Sequence, residues 1–209
     1  MFDGSNLFYM APMLNAPYIA QYGIMSFNTL RSHPELAKVS GSIAHPFVNA
    51  RRHGRLVGHR SLHDYVPLYW VTHTPMQYVV TIRDRRLPQQ DLVFFLFDAR
   101  LILQLPGVWT TDGNAASSET RFYEGTGALT HLDWGILNTP NCFSKEYKRR
   151  KCAEVLVPDM ITRELINSIA VYNQQAANNL IEAVTVITQS SALIQWARDR
   201  VIPRPEFYY

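Results

Sequence analysis

The sequence predicts an α+β fold, and three observations lead there. Strand-like and helix-like segments are interleaved without the strict strand–helix–strand alternation of a doubly wound sheet. The longest apolar runs, such as LVFFLF at 92–97, have strand length and fall short of a membrane span. The 209 residues are 47% hydrophobic with a formal net charge of only +3. That combination excludes a disordered chain and gives a core to one domain, expected over residues 1–209.

Taken in order, residues 7–13 are apolar and predict a strand. Asn15 and Pro17 then open a short helix, with Asn15 as N-cap and Gly23 as C-cap. A second short helix is expected from Ser32 to Lys38. Residues 41–64 have no clean period and read as a partly helical, mobile loop. VPLYWV at 66–71 is a strand, followed by a helix start at Thr74, Pro75 and Met76. LVFFLF is a fully buried strand, and Asp98 caps the helix behind it. Pro106 and Gly107 turn the chain into a strand at 108–112. GNAASS is a loop, LDW at 132–134 a helix or turn, and residues 135–150 a long loop ending in KEYKRRK. CAEVLVP at 152–158 and SIAVYN at 168–173 are strands. Asn173 caps a helix to about Thr188, and a strand or helix around 194–202 precedes the aromatic tail FYY.

Of the 20 basic residues, four are lysine (Lys38, Lys145, Lys148 and Lys151), so the rest are arginine. Arginine suits planar, bidentate recognition of phosphate or carboxylate. Arginine-rich usage also follows genomic composition or thermal habitat. Arg51, Arg52, Arg55 and Arg60 fall between Gly41 and His63, where no acidic residue offers local neutralisation. This segment reads as a lid over an anionic ligand, against the alternative of a solvated charged face.

Phosphate-loop, dinucleotide-binding, serine-hydrolase, zinc-protease and kinase motifs are absent. Cys142 and Cys152 form neither a disulfide framework nor a zinc site alone, and no metal is expected. The N-terminus lacks the basic and apolar regions of a signal peptide, so a cytoplasmic protein with no membrane segment is expected. His63 and Asp64 are neighbours that point apart if extended, a weak dyad. The most informative acid is Glu154, opening the apolar strand C-A-E-V-L-V-P on one face with Cys152 and Leu156. A carboxylate there is costly to bury without a partner. It is either a salt-bridged edge residue beside Lys148–Lys151 or a catalytic carboxylate at the lip of a cleft opposite a basic wall.

Several spaced segments carry a resemblance. LHDYVPLYWVTHTPM at 62–76 is similar to a signature of HDYVP, an aromatic strand and SPM. KRRKCAEVLVP at 148–158 resembles a catalytic-strand segment usually written QAEFLV. INSIAVYN at 166–173, the terminal FYY and TTDGNAASSETRFY at 110–123 match in place and type. In this order they resemble the DNA ADP-ribosyltransferase toxins of the DarT family over nearly the whole chain.

The resemblance implies an ADP-ribosyltransferase-like fold of two packed, antiparallel-rich sheets with surrounding helices. It implies transfer of ADP-ribose from NAD to a base in single-stranded DNA, without a metal. It further implies the toxin of a toxin–antitoxin pair, acting as a monomer with a macrodomain-type antitoxin as partner. Glu154 takes the place of the catalytic glutamate, and Arg52 that of an arginine near NAD and the reaction centre. Tyr9, Ala11, Asn15, Arg51, Tyr65 and Tyr69 are the further NAD-binding candidates. Tyr147, Lys148, Arg149, Arg150, His73 and Met76 are the nucleic-acid candidates. The chain departs from the family pattern at Tyr9 and Ala11, where histidine and threonine are usual, at His73 for arginine, and at Cys152 for glutamine. These departures leave two other functions open: an enzyme acting on a different N-glycosidic bond of a nucleotide or nucleoside, and a non-catalytic single-strand-binding module.

Overall fold

The computed structural model describes residues 4–39, 41–44, 46–139 and 144–209. Eight strands make one continuous sheet: β1 (Asn6–Pro12), β2 (Tyr65–Tyr69), β3 (Leu92–Asp98), β4 (Trp109–Thr111), β5 (Phe122–Glu124), β6 (Glu154–Pro158), β7 (Ser168–Val171) and β8 (Val201–Pro203). Their order is β8-β7-β3-β1-β2-β6-β4-β5. Neighbours in it are antiparallel except β7 and β8, which run parallel. The α+β class and the antiparallel bias are as expected. The expected two packed sheets are instead this single sheet, with two-stranded ribbons at Ile24–Met25/Met160–Ile161 and Leu56–Val57/Arg60–Ser61.

Alternation along the strands separates two faces. Leu7, Val66, Leu68, Phe95, Val155, Val157 and Ile169 lie on one, in the main core cluster. Helices cover that face: α1 (Ala16–Tyr22) early in the chain and, late in it, a pair at Gln174–Thr188 and Ser191–Arg200. The late pair contributes Ala176, Leu180, Val184, Leu193 and Ala197 to the core. β3 is apolar up to Asp98 because it is paired on both edges and covered on both faces.

The other face carries Phe8, Met10, Tyr69, Phe94 and Cys152, sealed at one end by Phe207 and Tyr208. The Tyr208 hydroxyl lies 2.9 Å from the Leu92 carbonyl and 3.1 Å from that of Ala170, so the tail crosses and fastens β3 and β7. Glu154 belongs to this second face, opposite Tyr69 in the β2–β6 register.

Most local signals act where the sequence places them. Thr74, Asp98 and Asn173 each accept a backbone N–H at a helix start. Gly23 ends α1 at φ 80°, a left-handed value, and a Cβ there would collide with the Ile161 carbonyl oxygen.

Three expectations need correction. Asn15 sits at the N-cap position of α1 but makes no cap bond. Its carboxamide instead donates to the Gly41 carbonyl and accepts the Gly41 N–H, both at 2.8 Å. The basic segment 41–64 is partly helical as expected, in helix α2 (Pro46–His53), but it also carries the ribbon Leu56–Val57/Arg60–Ser61 and is more ordered than a loop. KEYKRRK is helix α3 (Lys145–Lys151), capped by Ser144, and a short helix precedes it at Trp134–Asn138. Cys142 lies outside the described residues.

Candidate active site

The site is built from elements far apart in sequence. Glu154 opens β6 and is fully buried. Its Oε2 accepts a hydrogen bond from Arg52 Nη1 at 2.9 Å, and its Oε1 accepts one from the Ala115 N–H, also at 2.9 Å. Thr111 fastens its backbone: the Glu154 N–H donates to Thr111 Oγ1 at 2.8 Å. An isolated buried carboxylate is costly, and here an ion pair and a backbone amide compensate it. Burial lowers the pKa of the Arg52 guanidinium, but the charge of Glu154, the neighbouring Tyr69 and the hydrogen bond to Glu154 together outweigh this and the net direction is up.

Two cavities share Val48, Arg52, Tyr69 and Met76 in their walls. The first, of about 190 Å³, is lined by Tyr9, Ala11, Asn15, His63, Tyr65 and Tyr69 among others. The second, about 360 Å³, is lined by Arg51, Asn114, Ser117, Lys145, Lys148, Arg149 and Glu154 among others. The Arg52–Glu154 pair thus stands where one cavity gives way to the other.

The first cavity has aromatic walls with neutral hydroxyls. Burial pushes the Tyr9 phenol up to about 12, and raises Tyr65. Burial, then the charge of Glu154, raises Tyr69 well above an ordinary phenol. His63 is also buried, with its ring 4.5 Å from Phe27. Burial and the charges of Arg52 and His53 lower its pKa, and its Nε2 has no hydrogen-bond partner among the described residues. An orphaned ring nitrogen in a cavity wall, beside an arginine and tyrosines, fits a ligand with hydroxyl, amide and phosphate groups.

The structure sorts the remaining candidates. Asn15 lines the first cavity with its side chain committed to Gly41. Arg51 is exposed on the second cavity, which Arg52 and Tyr69 also line, and it does not line the first. Met76 touches both cavities and accepts a long contact from the Tyr69 hydroxyl at 3.9 Å. Lys148 is exposed along the second. Arg149 lines it too, but its guanidinium is held by Glu146, Asp112 and Thr120. Arg150 pairs with Glu146 at 2.6 Å and Asp133 at 3.4 Å. Tyr147 is 38% exposed on α3 and is not in the cavity wall. His73 is turned to the tail: its Nε2 lies 3.0 Å from the Tyr208 carbonyl and its ring stands edge-on to Tyr209.

Local neutralisation, absent between Gly41 and His63, arrives from elsewhere: Arg60 pairs with Asp159, and Arg52 with Glu154. Asp64 points away from His63, accepting from Asn28 at 2.7 Å and from the Ser61 N–H at 3.0 Å. Sequence reasoning missed the Ala115 amide and undervalued His63. No side-chain signal marks a backbone donor, and a lone histidine in a strand approach reads as core. Among the described residues no group of three or more His, Cys, Asp or Glu side chains is placed to hold a metal, and no helix is long and apolar enough to cross a membrane.

The fold and site define the class. The chain superposes on Thermus sp. 2.9 DarT in complex with ADP-ribosylated ssDNA with a TM-score of 0.83, at 24% identity over 99% of this chain and 97% of the other. It also superposes on the same protein in complex with NAD+ (TM-score 0.77, 21% identity, 99% and 98% covered). This chain therefore has the DarT fold. The family model described as "ssDNA thymidine ADP-ribosyltransferase, DarT" matches residues 8–209, and the chain belongs to that family. Among curated proteins it is 27% identical to a DNA ADP-ribosyl transferase of Thermus sp. (strain 2.9), covering 90% of both chains. It is 29% identical to a DNA ADP-ribosyl transferase–DNA ADP-ribosyl glycohydrolase fusion protein of Thermosipho africanus, covering 97% of this chain and 49% of the fusion.

Proposed function

We propose that this protein transfers ADP-ribose from NAD to a thymidine base in single-stranded DNA, with Glu154 as the catalytic carboxylate. The observation that carries the reading is the buried Arg52–Glu154 pair at the junction of the two cavities. NAD supplies an activated N-glycosidic bond, whose cleavage releases nicotinamide. The aromatic cavity suits the dinucleotide: His63 Nε2 accepts from a ligand hydroxyl or amide, and Arg52 offers the rest of its fork to a phosphate. The second cavity, with Lys145 and Lys148 on its wall, suits a nucleic acid strand.

Glu154 is held by Arg52 and the Ala115 amide, so its charge is oriented before substrates arrive. A carboxylate fixed beside a ribose stabilises positive charge that develops as the glycosidic bond breaks. The same carboxylate can take the proton lost by the attacking base nitrogen. Tyr9, neutral over the physiological range, replaces a histidine as donor in the cavity wall. A toxin role fits the family, and the fused glycohydrolase of the Thermosipho relative supports a reversing hydrolase as antitoxin.

The test is incubation with NAD and thymidine-containing single-stranded oligonucleotides, read by mass spectrometry. One added ADP-ribose is expected with the natural protein and none with Glu154→Gln. An active Glu154→Gln protein sinks the catalytic assignment; free nicotinamide without an adduct sinks the DNA acceptor. Growth arrest on expression, relieved by a co-expressed glycohydrolase, tests the toxin role.

A further inference from the structure

The geometry points to Arg149 as a positioning residue for Glu154, acting through the loop at 111–120, and not as a contact to nucleic acid. This rests on the catalytic reading of Glu154 and deepens it. Arg149 is only 11% exposed in its side chain, although it sits in a basic helix on the wall of the second cavity. All three of its guanidinium nitrogens donate internally. Nε and Nη2 donate to the two carboxylate oxygens of Glu146, each at 2.8 Å. Nη1 donates to Asp112 Oδ1 and Thr120 Oγ1, each at 3.1 Å. The Arg149 carbonyl accepts the Asn114 N–H at 2.8 Å.

These bonds grip the loop at both ends, at Asp112 and Thr120, and at Asn114 between them. The next amide along is Ala115, whose N–H holds Glu154 Oε1. Gly113 allows this closeness: a Cβ there would collide with Arg149 Nη1 and come within 3.1 Å of the Arg149 carbonyl oxygen. A second arginine holds the loop from the other side. Arg55 Nη2 donates to the Thr120 carbonyl at 2.9 Å, and Arg55 follows the helix that carries Arg52. The loop is thus fixed to both elements that frame the carboxylate, and the amide bond to Glu154 is where that fixation is delivered. A backbone donor works only at one place, and its rigidity comes from what holds its loop.

The two roles for Arg149 separate cleanly under Arg149→Lys, which keeps the charge and loses the fork. The positioning role predicts that kcat falls about tenfold to hundredfold. The KM for NAD, the affinity for single-stranded DNA and its salt dependence stay unchanged. Hydrogen exchange read at the Ala115 amide in the free protein should show its protection lost, a readout that needs neither NAD nor turnover. Asp112→Asn, in a residue outside the cavity wall, should reproduce both effects and covers the case in which Arg149→Lys fails to fold. Unchanged kcat and Ala115 protection in a folded variant would overturn the proposal. So would a DNA affinity that drops in Arg149→Ala with a salt slope reduced by about 0.7, the signature of one lost phosphate contact to a single strand. Failure of the catalytic reading is seen separately, as an active Glu154→Gln protein with Ala115 still protected in the natural chain.

Discussion

Removing both members of the Arg52–Glu154 pair should harm stability less than removing either one. Both side chains are buried, at 9% and 1% exposure, and 2.9 Å apart. Arg52→Met leaves the carboxylate with only the Ala115 N–H, and breaking a buried pair from one side costs about 3–5 kcal/mol. Glu154→Gln leaves a buried guanidinium and the Ala115 amide competing for one carbonyl oxygen, with a similar cost of about 2–4 kcal/mol. In the double variant the glutamine oxygen accepts from Ala115 and the methionine fills the space of the arginine stem. The destabilisation should then fall to about 1–3 kcal/mol, so the two sites couple by roughly 5 kcal/mol. Urea unfolding of all four proteins, with the slope compared as well as the midpoint, reads this directly. The same four proteins assayed on DNA should show activity only in the natural chain, which makes the pair a device retained for chemistry. Additive losses in the double variant would refute the reasoning, because they would mean that neither charge depends on the other for its burial.

Other outcomes follow from single side chains. His63 has a lowered folded pKa, so its neutral form contributes stability above the unfolded value near 6.5, and this is lost as pH falls through the folded value. Unfolding free energy should therefore fall below about pH 6.5, by at most about 1.4 kcal/mol per pH unit, with thermal midpoints falling alongside, and His63→Gln should flatten the curve; parallel curves would refute it. Tyr208→Phe removes a hydroxyl shared between the Leu92 and Ala170 carbonyls and should cost about 1 kcal/mol in urea unfolding, with the activity on DNA retained. Lys148→Ala should weaken single-strand binding regardless of sequence and lower the salt slope by about 0.7, measured by titration at several salt concentrations.

The sequence by itself determined the element types wherever the signal is local. An apolar run of strand length, such as 92–97, reads as a buried strand, and Thr74, Asp98 and Asn173 mark helix starts because their side chains satisfy orphan N–H groups nearby. Alternation also put Glu154 on one face with Cys152 and Leu156, which the second-face packing bears out. The basic helix 145–151 was illegible as a helix because its stability comes from the Ser144 cap and from Glu146 bonding Arg149 and Arg150, not from an apolar period. Asn15 looked like a cap because residue type cannot say that Gly41 lies across from it.

Only the tertiary structure decided what the charges do. Sixteen arginines look alike in a composition count, yet one faces a buried carboxylate 102 residues away, two grip a loop, and others close surface ion pairs. The difference is distance through space. A guanidinium's role is set by which acceptors the fold brings within about 3 Å of it, and residues 52, 115 and 154 meet where the helix α2 and the loop after β4 stand beside the paired strands β2, β4 and β6.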